Sequence, residues 1–223
     1  MATTNTIAKK IIKVLTEGQF KKLYADAERI WKDVYEVDDN SIRLLVNCLK
    51  NCKEEDRYGY ALALVNNINF LYSTGVKYIH IHKVAENVVD ALFGNEEDKI
   101  GKIAGRYEYS SEDGEHINIY FSFATKLCAF YYDNEYVIYD SYLDAFVWEY
   151  ISENNLLDKS GERIYHYSFD SSSTEPSSRY VNYVSAWEIV FDSIVENYAK
   201  PAGFEMTKKN FDEMIWVLMK HLN

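Results

Sequence analysis

The sequence predicts an all-α fold: a single globular domain over residues 1–223, built from about eight to ten helices. Three observations carry this. Two prolines and nine glycines leave little punctuation, which favours long helices over short strands joined by turns. Apolar residues recur three and four apart along most of the chain, the spacing of one helix face. With 48% hydrophobic and 16% aromatic residues, the chain can bury a core of the size one domain needs.

Ile7, Ile11, Ile12, Val14 and Leu15 form the first apolar stripe, which stops near Gly18. Residues 1–22 make a basic N-terminal helix, with Lys9, Lys10, Lys13, Lys21 and Lys22 opposed by Glu17 alone. Phe20, Leu23, Tyr24, Ala27, Ile30, Trp31 and Val34 then recur at helical spacing, and Asp39-Asn40-Ser41 offers an N-cap for a helix carrying Ile42, Leu44, Leu45, Cys48 and Leu49. Residues 57–72, RYGYALALVNNINFLY, read as a buried helix. Its Asn66, Asn67 and Asn69 need partners, so they either tie helices together or face a site.

Ser73-Thr74-Gly75 breaks the chain before an amphipathic helix marked by Val84, Val88, Val89, Ala91 and Leu92. His80 and His82 precede it. Two apart on a helix they point to different sides, and they read as solvated or capping residues. Residues 105–115 form a polar connection or a short hairpin. A helix containing Lys126 follows, then a short loop, then a helix from Asp140 to about Ser152. Residues 153–178 read as a polar, serine-rich loop, either functional or mobile at that length. Two helices close the chain, Tyr180 to Tyr198 around Trp187 and Thr207 to Leu222 around Phe211, Ile215 and Trp216.

A net charge of −11 opposes casual nucleic-acid binding, which depends on neutralising phosphates. The charge is uneven: residues 133–175 hold ten acids against Lys159 and Arg163, whereas the N-terminal helix is basic. A DNA partner would therefore be met through Lys9, Lys10 and Lys13. Cys48, Cys52 and Cys128 read as reduced thiols. Cys48 and Cys52 lie one turn apart, but no further ligands complete a metal site, so neither metal nor cofactor is expected. The opening MATTNTIAKK has no apolar signal core, and residues 117–132 are too short to span a bilayer. The expectation is a soluble cytoplasmic protein without a membrane partner.

Lys126 is the only charge in the sixteen residues INIYFSFATKLCAFYY, 117–132. An unpaired buried ammonium is costly and escapes by losing its proton or gaining a carboxylate. Asp140, at the start of the next helix, follows fourteen residues later. Two readings stand: an amine nucleophile with a supporting carboxylate, or a lysine that snorkels to the surface beside an aspartate that only caps its helix.

The segment SFATKLCAFYYDNEYVIYDSYLDAFVWEY, 122–150, resembles the core of the helix-hairpin-helix DNA glycosylase superfamily, particularly its 8-oxoguanine branch. Thr125-Lys126 matches the Thr-Lys pair that starts a helix there, and Val137-Ile138-Tyr139-Asp140 matches the loop end and the helix-opening aspartate. The resemblance implies Lys126 as a Schiff-base-forming nucleophile, Asp140 as its supporting carboxylate, DNA as partner and a role in DNA repair. The chain is more similar still to a group of bacterial proteins that share an S-F-A-[ST]-K…I-Y-D-S core. They also share an N-x-x-Y-[ST]-T-like ending, here Asn69…Tyr72-Ser73-Thr74, and a D-x-x-[IL]-W helix, here Asp212…Ile215-Trp216. That likeness covers most of residues 60–218 and implies a fold more than an activity. The chain departs from the glycosylases where Phe121-Ser122-Phe123-Ala124 replaces a Gly-x-Gly turn and where the lysine-to-aspartate spacing is shorter. The alternative the sequence leaves open is a non-catalytic helical module for protein interaction or defence.

Overall fold

Ten α-helices, two π-helical turns, two short 3-10 turns and one two-stranded ribbon make up the computed structural model, which describes residues 3–16, 18–111, 113–133, 135–158, 160–162, 164 and 176–222. The chain is all-α apart from the ribbon. Half of the polar loop expected over 153–178 lies outside the described residues. The chain divides into two compact units, the first formed by Met1–Glu36, Tyr139–Ser168 and Val181–Asn223, the second by Val37–Ile138 and Phe169–Tyr180.

In the first unit, helix α1 (Thr4–Thr16) turns Ile7, Ala8, Ile11, Ile12 and Leu15 inward, the i, i+4, i+8 stripe seen in the sequence. Full burial of such side chains contributes about 1.5–3 kcal/mol each. Gly18, at φ +76°, takes the left-handed conformation that ends the helix. Helix α2 (Phe20–Ile30) buries Phe20, Leu23 and Ala27 and packs on α10 (Lys208–His221), capped by the Thr207 side chain. Helix α8 (Ser141–Asn154) packs on both α1 and α10.

The α-helical spacing expected through Val34 does not hold. Residues Trp31–Tyr35 form a π-helical turn, in which the Glu36 N–H donates to the carbonyl of Trp31. This wider turn shifts the register, so Val34 is half exposed, while Trp31 and Tyr35 face Trp216 edge-on at 6.3 and 4.7 Å between ring centres. Helix α9 (Pro176–Ile194) also ends in a π turn, Val195–Ala199.

The second unit begins within α3 (Glu36–Asn51). The cap expected at Asp39-Asn40-Ser41 is not one. The helix runs through it, Asp39 accepts from Arg43 Nε at 2.7 Å one turn on, and Ile42, Val46 and Leu49 face inward while Leu44 is exposed. Helix α4 (Arg57–Tyr72) matches the expected range and packs on α5 (Ile81–Phe93). Helix α6 (Lys99–Ala104), absent from the sequence expectation, is capped by Asp98, whose Oδ1 accepts from Gly101 N at 2.8 Å.

The expected polar connection at 105–115 is a ribbon of β1 (Tyr107–Ser111) and β2 (Gly114–Asn118), antiparallel, with Tyr109 opposite His116. Gly105 leads into it at φ +54°, where a Cβ would sit 2.7 Å from the Tyr107 ring. The Tyr120 N–H donates to Ala104 O at 2.9 Å, closing the ribbon at its base. Helix α7 (Phe121–Tyr131) follows and packs on α6 and α4. No helix among the described residues is long and apolar enough to cross a membrane.

Candidate functional site

Helix α7 is apolar on nearly every side, and its residues Phe123 to Phe130 are all buried. Lys126 is among them, only 2% exposed, so the snorkelling arrangement weighed from the sequence does not occur. Its Nζ donates to Ser122 Oγ at 2.8 Å, one turn back on the same helix, and lies 6.0 Å from the centre of the Tyr72 ring. Thr125, also buried, donates its hydroxyl to the Ser122 carbonyl at 3.2 Å. Ser122 thus serves both neighbours, the lysine through its hydroxyl and the threonine through its carbonyl. A primary amine in such surroundings has the chemistry of a nucleophile or of an internal ion.

The unit boundary falls between Ile138 and Tyr139, which assigns Lys126 to the second unit and Asp140 to the first. Asp140 is the N-cap of α8: its backbone is extended and its Oδ1 accepts from Tyr142 N at 2.9 Å. Its charge also reaches Tyr183. The hydroxyl of this tyrosine is pushed well above its ordinary pKa, first by complete burial, then by the negative charges of Asp212, Asp144 and Asp140. The ring of Tyr139 packs edge-on against Tyr183 at 5.1 Å, and Trp148 donates to Asp144 Oδ1 at 2.9 Å. Asp140 therefore stands in a carboxylate-rich region around a neutral tyrosine.

Lys9, Lys10 and Lys13 all lie on the exposed face of α1. Lys9 is engaged by Glu149 and Glu153 of α8 at 3.3 and 3.5 Å. These carboxylates raise the lysine's pKa, chiefly through the hydrogen bond from Lys9 to Glu149. The basic character of the N-terminal helix is thus offset locally by the acids of α8.

The second unit also holds a polar network that sequence reasoning missed. His80 stands at the N-cap of α5 without a side-chain cap bond and is buried, not solvated, whereas His82 is exposed. The rings of Tyr107, Tyr109 and Tyr120 surround His80 at 5.4 to 5.9 Å. The Lys77 N–H donates to the Tyr120 hydroxyl at 3.1 Å, and that hydroxyl lies 2.5 Å from His80 Nδ1. His80 Nε2 lies 3.4 Å from the Glu108 carbonyl. Every group is satisfied when Nε2 carries the histidine's proton and Tyr120 donates to Nδ1. The only signal of this network in the sequence is the tyrosine-rich stretch 107–120.

The three asparagines of α4 divide. Asn66 and Asn67 donate to carbonyls of their own helix, while Asn69 clamps the following turn by accepting from Val76 N at 2.8 Å and donating to Val76 O at 2.9 Å. Cys48 and Cys52 are half-buried free thiols. Burial pushes the Cys128 thiol up to about 12, which keeps it protonated and inert. Among the described residues no group of three or more His, Cys, Asp or Glu is placed to hold a metal ion.

The chain matches no protein-family model, no curated protein and no solved structure.

Proposed function

We propose that the chain is a divergent base-excision DNA glycosylase/lyase-like protein, related to the helix-hairpin-helix glycosylases, with Lys126 as its amine nucleophile and Asp140 as supporting carboxylate. The observation that carries this reading is the Lys126 amine, 2% exposed inside an apolar helix and oriented by Ser122 Oγ at 2.8 Å. A purely solubilising lysine has no reason to stand there, because burying its charge costs several kcal/mol that an exposed position avoids (of order 20 kcal/mol before relaxation).

In this chemistry the unprotonated amine forms a C–N bond at the sugar C1′ as the C1′–N bond to the base breaks. The departing base takes that electron pair and a proton. Loss of the amine's proton with opening of the sugar ring leaves an imine on Lys126, which water hydrolyses. A carboxylate in the role given to Asp140 stabilises the developing positive charge on the sugar. Where the glycosylases grip the DNA backbone with a Gly-x-Gly turn before the lysine, this chain carries Phe121-Ser122-Phe123-Ala124, the first turn of α7.

A second reading, a non-catalytic helical module for protein interaction or defence, is favoured by Lys9, whose charge already serves Glu149 and Glu153. Borohydride trapping on abasic and damaged duplexes separates the two. The glycosylase/lyase reading expects a covalent protein–DNA adduct that Lys126→Met abolishes. No adduct on any duplex, from protein whose fold is verified by its melting curve, leaves the module.

A further inference from the structure

The first unit contains a cleft of about 190 Å³ between α2 with its π turn and α10. An apolar cavity of about 150 Å³ takes a benzene ring, so this volume admits one small ring or a short chain. We infer that the cleft is a binding site for a small monovalent organic cation, an amine or a guanidinium.

The lining supports that charge and that chemistry. Tyr24 and Trp31 supply aromatic faces and Met214 a polarizable thioether, all favourable toward a weakly hydrated cation. Two lysines also line the cleft, but each is balanced: Lys32 donates to Glu28 at 2.9 Å, and Lys209 lies 3.3 Å from Glu213. Glu36 is left as an additional carboxylate. Among the described residues it forms no ion pair within 4 Å, and it contributes only at longer range to raising the pKa of Lys32. The lining as a whole is thus three carboxylates against two ammonium groups.

Glu36 follows Tyr24, Glu28 and Lys32 at intervals of four residues, a spacing that keeps neighbours on one helix face, and it lines the cleft with them. The π turn, in which the Glu36 N–H donates to the Trp31 carbonyl, leads directly into this residue. On the α10 side, Asn210 Nδ2 donates to the Tyr24 hydroxyl at 2.9 Å, which fixes the aromatic wall. This site is independent of Lys126.

Calorimetric titration of the full chain at low salt with n-butylamine, n-propylguanidine, benzamidine and inorganic phosphate tests the inference. Saturable binding of at least one cation is expected, weakened about tenfold by Glu36→Gln and tightened by Lys32→Gln, which releases Glu28. Lys126→Met should titrate like the parent chain, so failure of the glycosylase reading leaves this result untouched. A capped tripeptide with a central arginine distinguishes a protein side chain, if it binds better than n-propylguanidine, from a free small cation, if it binds worse. No saturation with any cation, unchanged affinity in both Glu36→Gln and Lys32→Gln, or preferential binding of phosphate overturns the inference.

Discussion

The Lys126 ammonium donates to the Ser122 hydroxyl at 2.8 Å, and both groups belong to the same turn of α7. Because the lysine is buried, water cannot simply replace that hydroxyl. Ser122→Ala should therefore destabilise the protein by about 1–3 kcal/mol, the range for a charge-assisted hydrogen bond removed inside a protein. Denaturant titration measures this. If Ser122 also orients a nucleophile, the rate of borohydride trapping should fall further than the loss of folded protein accounts for.

Asp140 has a structural role that can be separated from its charge. Its Oδ1 accepts from Tyr142 N, a bond that asparagine can also make. Asp140→Asn should preserve the start of α8 and remove the negative charge, whereas Asp140→Ala loses both. The difference in stability between the two variants should be about 1 kcal/mol, the worth of the cap, and paired denaturant titrations measure it. If trapping is lost in both alike while only the alanine variant is less stable, the carboxylate serves the chemistry.

The fold was legible where the physics is local. Helix α4 was visible over its full length because sixteen mostly apolar residues lie between polar Asp56 and the Ser73-Thr74-Gly75 break. The apolar run around Lys126 was visible too, but it left open whether the lysine snorkels or is buried, because a local pattern does not show what packs over the helix. Helix α6 escaped because six residues containing Gly101 leave no periodic signal. The π turn escaped because a single i+5 hydrogen bond changes the register without changing the residue pattern that announces it. Asp39 misled because aspartate favours caps, yet here a partner one turn on, Arg43, holds it inside a helix. The environment of His80 depended on Tyr120, forty residues away, which no local spacing encodes.

That distant pair offers a direct test. Tyr120→Phe keeps the ring and removes a hydroxyl that joins the Lys77 N–H to His80 Nδ1. Two polar groups in a buried or half-buried setting then lack their partner, and the expected cost is about 1–3 kcal/mol. The His80 ring should also change tautomer or orientation, seen in its nitrogen chemical shifts. A stability loss near zero with unchanged shifts would mean that the network is not cohesive.

Alkaline pH should unfold the protein early. Burial holds Tyr107 and Tyr132 up at about 12, against 10.0 for the ordinary group, and Cys128 up at about 12, against 9.0. The unfolded chain therefore releases these protons first and binds fewer than the folded chain between the two values. Stability is fully present below about pH 9 and falls as pH rises toward 12. The melting temperature should decline over that window, beginning at higher pH in Cys128→Ala, which removes the group with the lowest unfolded pKa. A melting temperature that stays flat from pH 9 to 12 would rule out a cohesive role for these buried protons.

The N-terminal lysines are not equivalent, because their neighbours differ. Lys9 serves Glu149 and Glu153, so Lys9→Glu sets three carboxylates together across α1 and α8 and should lower stability, whereas Lys10→Glu should leave the fold intact. If these residues reach DNA, low-salt binding should weaken with each reversal, and the slope of log affinity against log salt should fall by about one unit for each phosphate no longer neutralised. Lys10→Glu should cost more binding than its negligible effect on stability suggests, while Lys9→Glu confounds the two. Gel-shift titrations across a salt series with Lys10→Glu, checked by melting curves, give the answer without ambiguity from unfolding. Retardation that Lys10→Glu leaves unchanged would exclude this helix as the route to DNA. Retardation that weakens together with the expected change in slope would establish that α1 reaches phosphates despite the acids beside it.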